Sequence, residues 1–312
     1  MTSTHDLLAA ICAQPQRDEL RLAYAAACEA KEPAQANYIR HEVALAAGTI
    51  YGVAATDGIT ERLGRPFMEH CQRVTFSRGF VDEITIDPFI FIEHGAKLLE
   101  AAPIQSVIFC PRPRPSGAGA ISSVVRVPSA IPELMSCALL ERVGAIQFED
   151  GYQLIWTLGQ NDIEILLCSN VLGGLVWLGL PGQRAAMEDA YLQSAWTRAF
   201  ERAEFRKLLV LGLPAHPGEG VVCETSGRTR VIEAKAMTEF GRTLEARHGY
   251  LPSLHLLNAW SGNPASSGLA FPADVVLAAR RGELPRFAAG SSLTAQMNEL
   301  PASVAWSNGT ED

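Results

Sequence analysis

Two eight-residue segments, 33 positions apart, constrain this chain more than any other feature. Leu175-Val176-Trp177-Leu178-Gly179-Leu180-Pro181-Gly182 aligns with Leu208-Leu209-Val210-Leu211-Gly212-Leu213-Pro214-Ala215, and five of the eight positions are identical. Short apolar strands of the same kind are expected at Val107–Phe109, Ala145–Phe148 and Leu254–Leu257. Helical segments are expected between them, at Pro132–Arg142, Tyr152–Cys168, Met187–Phe205 and Ala234–His248. The unit is one short strand, a turn with Gly or Pro, and one helix. Such a unit cannot bury its apolar faces alone, so copies must stack, with their strands in a parallel sheet and their helices covering it. The expected class is α/β. A doubly wound domain also alternates strands and helices, but it announces its phosphate site with a glycine-rich turn, and neither G-x-G-x-x-G nor G-x-x-x-x-G-K-[ST] occurs here.

The N-terminal part has a different pattern. Leu7, Leu8 and Ile11 make a short helical stripe that Pro15 interrupts; Leu20, Tyr24, Ala27 and Cys28 make a second. Pro33 suits the first turn of a third helix, which carries Tyr38, Ile39, Val43 and Leu45. Residues from Gly48 to Arg73 read as an irregular connector. A strand-like run covers Phe80 to Ile86, and Pro88 opens a helix through Ala101. Farther on, Val221–Cys223 and Thr229–Ile232 flank Glu224-Thr225-Ser226-Gly227-Arg228, which predicts a β-hairpin inserted near residues 218–232. A further helix is expected at Ala273–Arg281.

Leu7-Leu8-Ala9-Ala10-Ile11, Pro15, Arg21-Leu22-Ala23-Tyr24-Ala25, Pro33 and Tyr38-Ile39-Arg40 occur in an order that resembles the bacterial repeat-companion domain. Arg78-Gly79-Phe80-Val81-Asp82-Glu83-Ile84-Thr85-Ile86 resembles the strand that follows in that family. The resemblance covers roughly residues 5 to 110. It departs from the family at Ala26 and Ala27, where an acidic and an aromatic residue are usual, and at His41-Glu42. It implies a helical cap on a repeat array, with a binding or scaffolding role and no catalytic residues to carry over. The expected organisation is a helical cap over 1–72, an irregular leucine-rich-repeat-like strand-turn-helix solenoid with a parallel sheet over 73–300, and a tail over 301–312.

Composition narrows the partners. The net charge of −8 argues against nucleic acid, whose phosphates need a basic surplus. No apolar run reaches membrane-spanning length, and the first residues lack the basic and apolar regions of a secretory signal, so a cytoplasmic location is expected. Seven cysteines, none in a C-x-x-C pair, argue against a disulfide framework and fit small buried residues in a reducing compartment.

No chemistry-bearing motif emerges. The seven histidines form no pair with metal-ligand spacing, and no G-x-S-x-G nucleophile turn occurs. Glu149-Asp150 and Glu188-Asp189 are acid pairs of the kind that end strands and start helices. No cofactor is implied. The informative positions are the turns after strands, which a stacked parallel sheet places along one edge. Arg184, His216 and Trp260 lie there, and Trp177 is either an outward strand position beside them or a core residue. Arg112 and Arg114 sit in the stiff Pro111–Pro115 loop. Aromatic and arginine side chains are the usual anchors of interfaces. These six residues are therefore the candidate binding set for a peptide or protein ligand, the alternatives being an enzyme on an α/β scaffold and a homodimer formed through an exposed sheet edge.

Overall fold

Arg78 and Gly79 both adopt positive φ, 51° and 82°, the requirement of a two-residue type I′ turn. They join β1 (Cys71–Ser77) to β2 (Phe80–Ile86) as an antiparallel hairpin that starts the main sheet. The computed structural model describes residues 3–50, 58–112, 130–149, 160–179, 210–212, 222–223, 229–230, 253–255 and 272–282. Within them the chain is α/β with a mixed, mostly parallel sheet. β2 is followed by β3 (Ser106–Phe109), β4 (Ala145–Phe148), β5 (Trp177–Gly179) and β6 (Val210–Gly212). Val222–Cys223 (β7) and Thr229–Arg230 (β8) pair antiparallel as the expected separate hairpin. The last strand of the main sheet is β9 (Ser253–His255).

Strand order in that sheet is β1-β2-β3-β4-β5-β6-β9, so after the opening hairpin each strand lies parallel beside its predecessor in the sheet. Among the described strands the order never reverses, unlike that of a doubly wound sheet. The sequence repeat is realised directly: Trp177 pairs with Val210, Leu178 with Leu211 and Gly179 with Gly212, each 33 residues on.

The register also explains the core. Ile84, Val107, Ile146 and Leu178 are consecutive Cα partners across four strands, and all four are buried. Ile86, Phe109 and Phe148 form the next row. Phe109 meets Phe91 edge-on at 5.3 Å and Phe148 at 5.6 Å. Helices cover these rows. α5 (Pro88–Ala101) contributes Phe91, Leu98 and Leu99, α6 (Ile131–Leu134) both of its end residues, and α7 (Gln160–Cys168) Leu166. Asp87 starts α5 by accepting the Phe89 N–H, and Pro88 takes the first-turn position.

The described chain opens with three helices: α1 (Thr4–Ala13), α2 (Asp18–Cys28) and α3 (Pro33–Ala46). Ser3 and Asp6 form a reciprocal capping box at the start of α1. Ile11, Ala25, Ala36, Ile39 and Val43 close a second core, and Phe80 of β2 enters it. α8 (Pro272–Arg280) is the last described element; Val276 faces Gly144, just before β4, where even one methyl group would collide.

Several expectations change. The stretch from Gly48 to Arg73 is not only a connector: it contains α4 (Ile59–Gly64) and the start of β1. Gln72 to Ser77 alternates in a way that signals a strand, but the missing landmark was the Arg78-Gly79 turn, since arginine rarely occupies positive φ. The single helix expected at 132–142 is instead α6 followed by a 3₁₀ turn, Ala138–Arg142. The helices expected at 187–205 and 234–248 lie outside the described residues.

Gly79 must be glycine for two reasons: its φ is 82°, and an added Cβ would stand 2.7 Å from the Ile39 Cα of α3. Gly79→Ala should lower unfolding free energy by at least about 2 kcal/mol, combining left-handed strain with overpacking. A urea midpoint unchanged from wild type would contradict this close approach of hairpin and cap.

Candidate functional site

α1 and α8 border an open groove of about 580 Å³. One wall is α1, with Leu8, Ala9, Cys12 and Ala13. The other is assembled from three places far apart in sequence: Glu100 at the end of α5, Glu141 and Arg142 from the 3₁₀ turn, and Arg280 at the end of α8. His5 stands at one end. One wall is thus mainly apolar and the other charged, and the volume lies in the range of small-ligand clefts.

Two arginines of the charged wall are oriented by backbone carbonyls. Arg142 donates Nη2–H to the Leu99 carbonyl at 2.8 Å, and Arg280 donates Nη2–H to the Arg142 carbonyl at 3.1 Å. Burial lowers the Arg280 pKa from its ordinary value. Fixing a guanidinium before a ligand arrives reduces the ordering cost of binding. Cys12 donates its thiol to the Glu100 carbonyl at 3.7 Å, and burial raises its pKa, so the reactive thiolate is disfavoured. What the groove offers is recognition: apolar contact on one side and oriented charge on the other.

The groove's walls are fastened by a buried charge network at the turn of the hairpin. Arg78 donates Nη1–H to Asp274 of α8 at 2.8 Å and to Ser77 at 3.1 Å, while its Nε lies 3.4 Å from Asp18 of α2. Arg21 of α2 is fully buried, bonds the Pro15 carbonyl, lies 3.6 Å from Asp18 and stands over the Phe80 ring at 5.9 Å. Burial pushes Arg21 down to about 10. Asp82 lies in the same cluster, and burial, with Asp274 and Glu83 adding repulsion, raises its pKa well above the usual carboxylate range. In the neutral form of Asp82 that this shift favours, two arginines face two remaining aspartates, Asp18 and Asp274, and the formal charges balance. That is the favourable arrangement for charges removed from water.

The residues expected to bind fare differently. Trp177 is a correction: it is not an outward residue but is 1% exposed. Its strand is covered on both faces, as interior parallel strands are. Its Cα partner is the small Ala145, with Ser106 next in the same row, which leaves room for the indole. Arg112 is half-buried, and its backbone N–H is held by Asp87 Oδ2 at 2.9 Å, so the start of the proline-rich loop is tied to the α5 cap. Arg114, Arg184, His216 and Trp260 lie outside the described residues. The groove residues escaped the sequence reading because nothing local links residue 8 to residues 100, 142 and 280; only the apolar stripe of α1 hinted at one wall. No family model, curated protein or solved structure matches the chain.

The charge network gives a pH prediction. A buried acid with a raised pKa keeps its proton in the folded state at pH values where the unfolded chain has lost it. Folding then binds the proton, and stability falls as pH rises above the ordinary aspartate value of about 3.9. Asp82→Asn removes this dependence. The urea midpoint of Asp82→Asn should therefore rise relative to wild type as pH increases above about 4; parallel curves for the two proteins would contradict a protonated Asp82.

Proposed function

We propose that this chain is a non-catalytic peptide- or protein-binding scaffold, built as a repeat-companion cap on an irregular leucine-rich-repeat-like solenoid. The ligand occupies the groove between α1 and the 3₁₀ turn–α8 wall. The observation carrying this reading is the pairing of an apolar helix face with two arginines already oriented by backbone carbonyls. An extended chain segment presents both features to such a groove, apolar side chains and carbonyl or carboxylate oxygens. The solenoid reading is supported by strands that follow one another in parallel order and by the 33-residue repeat lying in register. A specific form of the proposal is a cytoplasmic accessory protein that holds a precursor peptide for modifying enzymes of a bacterial pathway.

Binding through the sheet edge receives less support. β1 is one edge of the sheet, and its pairing is irregular between Cys71 and Arg73 and again between Thr75 and Phe76. Such bulges blunt an edge against strand addition.

The test is affinity capture from native lysate with mass spectrometry of the eluate, comparing wild type with Ala9→Glu. Ala9 is exposed on the groove wall, so its replacement leaves the core intact. The expected result is one dominant retained peptide or protein, reduced at least about tenfold by the substitution, a change of roughly 1.4 kcal/mol. Identical eluates, or none, would remove the groove from the account and turn attention to a substrate screen.

A further inference from the structure

The sheet face opposite α5, α6 and α7 carries polar side chains from β1 to β4, set beside the apolar Ile108 and Ala145. Register places Arg73 opposite Thr85, which is opposite Ile108, which is opposite Gln147. The neighbouring row holds Thr75, Glu83 and Ser106. Glu83 is 4% exposed, and its two carboxylate oxygens accept hydrogen bonds from Ser106 Oγ at 2.9 Å and Thr75 Oγ1 at 3.2 Å. Thr85 is 5% exposed, yet its buried hydroxyl has no hydrogen-bond partner. A buried, unpaired hydroxyl costs about 1–3 kcal/mol.

Arg73 and Glu149 roof this floor. They start three strands apart, about 14 Å at the usual strand spacing, but Arg73 Nη2 and Glu149 Oε1 meet at 3.8 Å. Their side chains must therefore reach toward each other across β2 and β3. The contact is loose, too long for a hydrogen bond, and both side chains are open to solvent, at 44% and 37%. Glu149 has a better partner in Gln147, whose Nε2–H it accepts at 2.9 Å. Exposed pairs of this kind contribute at most about 1 kcal/mol, so the roof opens readily.

The charge balance identifies what fits. Two carboxyl groups, Glu83 and Glu149, share one cation, Arg73. We infer that this face carries a binding site for a small organic cation, an ammonium or guanidinium on a short hydrocarbon stem, and that Arg73 is the internal competitor such a ligand displaces. The cation pairs with Glu149 and adds the positive charge that Glu83 lacks. The Thr85 hydroxyl accepts one of its N–H bonds, and the stem lies on Ile108. Both acids have pKa values raised by burial, which a bound cation would reverse. The site is separate from the groove and stands whether or not the groove holds a peptide.

Calorimetric titration of the full-length chain at low salt tests this, with propylammonium and propylguanidinium as probes and propionamide as the neutral control. Saturable binding of at least one cation and none of the amide is expected. Glu149→Gln should weaken binding at least about tenfold and Thr85→Val about fivefold, the scales of a charged and a neutral hydrogen bond. Arg73→Ala should tighten binding by up to about fivefold, the worth of the exposed pair it removes. This gain cannot come from a damaged fold. No saturable binding to either wild type or Arg73→Ala overturns the proposal. So does equal binding of the amide, or an Arg73→Ala variant that binds more weakly, since arginine would then be part of the grip rather than the competitor.

Discussion

The Arg78 guanidinium joins the parts of this protein that sequence separates most. It projects from a hairpin turn at positive φ, reaches Asp18 in the helical cap and bonds Asp274 in the last described helix, 196 residues away. Both elements border or support the groove. A buried arginine with acids on two sides is costly to remove, because the acids would then be buried without their cation. The same network bears on charge: burial and the neighbouring acids raise the Asp82 pKa, which favours its neutral form beside the arginines.

The sheet connects this junction to the second polar face. Along β2 every residue is buried, but the two faces differ in chemistry. Ile84 and Ile86 turn to the helices and continue rows of aliphatic and aromatic side chains, whereas Glu83 and Thr85 turn away from them. Only a strand covered on both sides places a carboxylate and an unpaired hydroxyl so far from water. Polar groups in that setting stabilise little by themselves. Their presence behind the apolar rows that Ile84 and Ile86 continue points to ligand recognition there.

The helical cap and the sheet strands were legible in the sequence because local patterns specify them. Pro33, Pro88 and the apolar stripes marked helices, and the Leu-x-x-Leu-Gly-Leu-Pro repeat marked two strands that the structure pairs in register. β1 was not legible, since its defining turn uses arginine where glycine or asparagine is usual. Trp177 misled because a large aromatic in a short strand suits an interface or a core equally well. Its burial depends on small partners, Ala145 and Ser106, that register alone brings beside it. Beyond the apolar stripe of α1, the groove left no trace in sequence, being built from four segments whose proximity is a product of folding.

Hydrogen–deuterium exchange on wild type and Arg78→Met tests the central claim most directly. Methionine keeps much of the side-chain volume and removes the charge. If Arg78 fastens cap and last helix to the sheet, the amides of α2 and α8 lose protection together while β3 and β4 keep theirs. Unchanged protection in α8, or loss confined to the turn at residues 77–80, would contradict it and leave the groove's walls held by apolar packing alone.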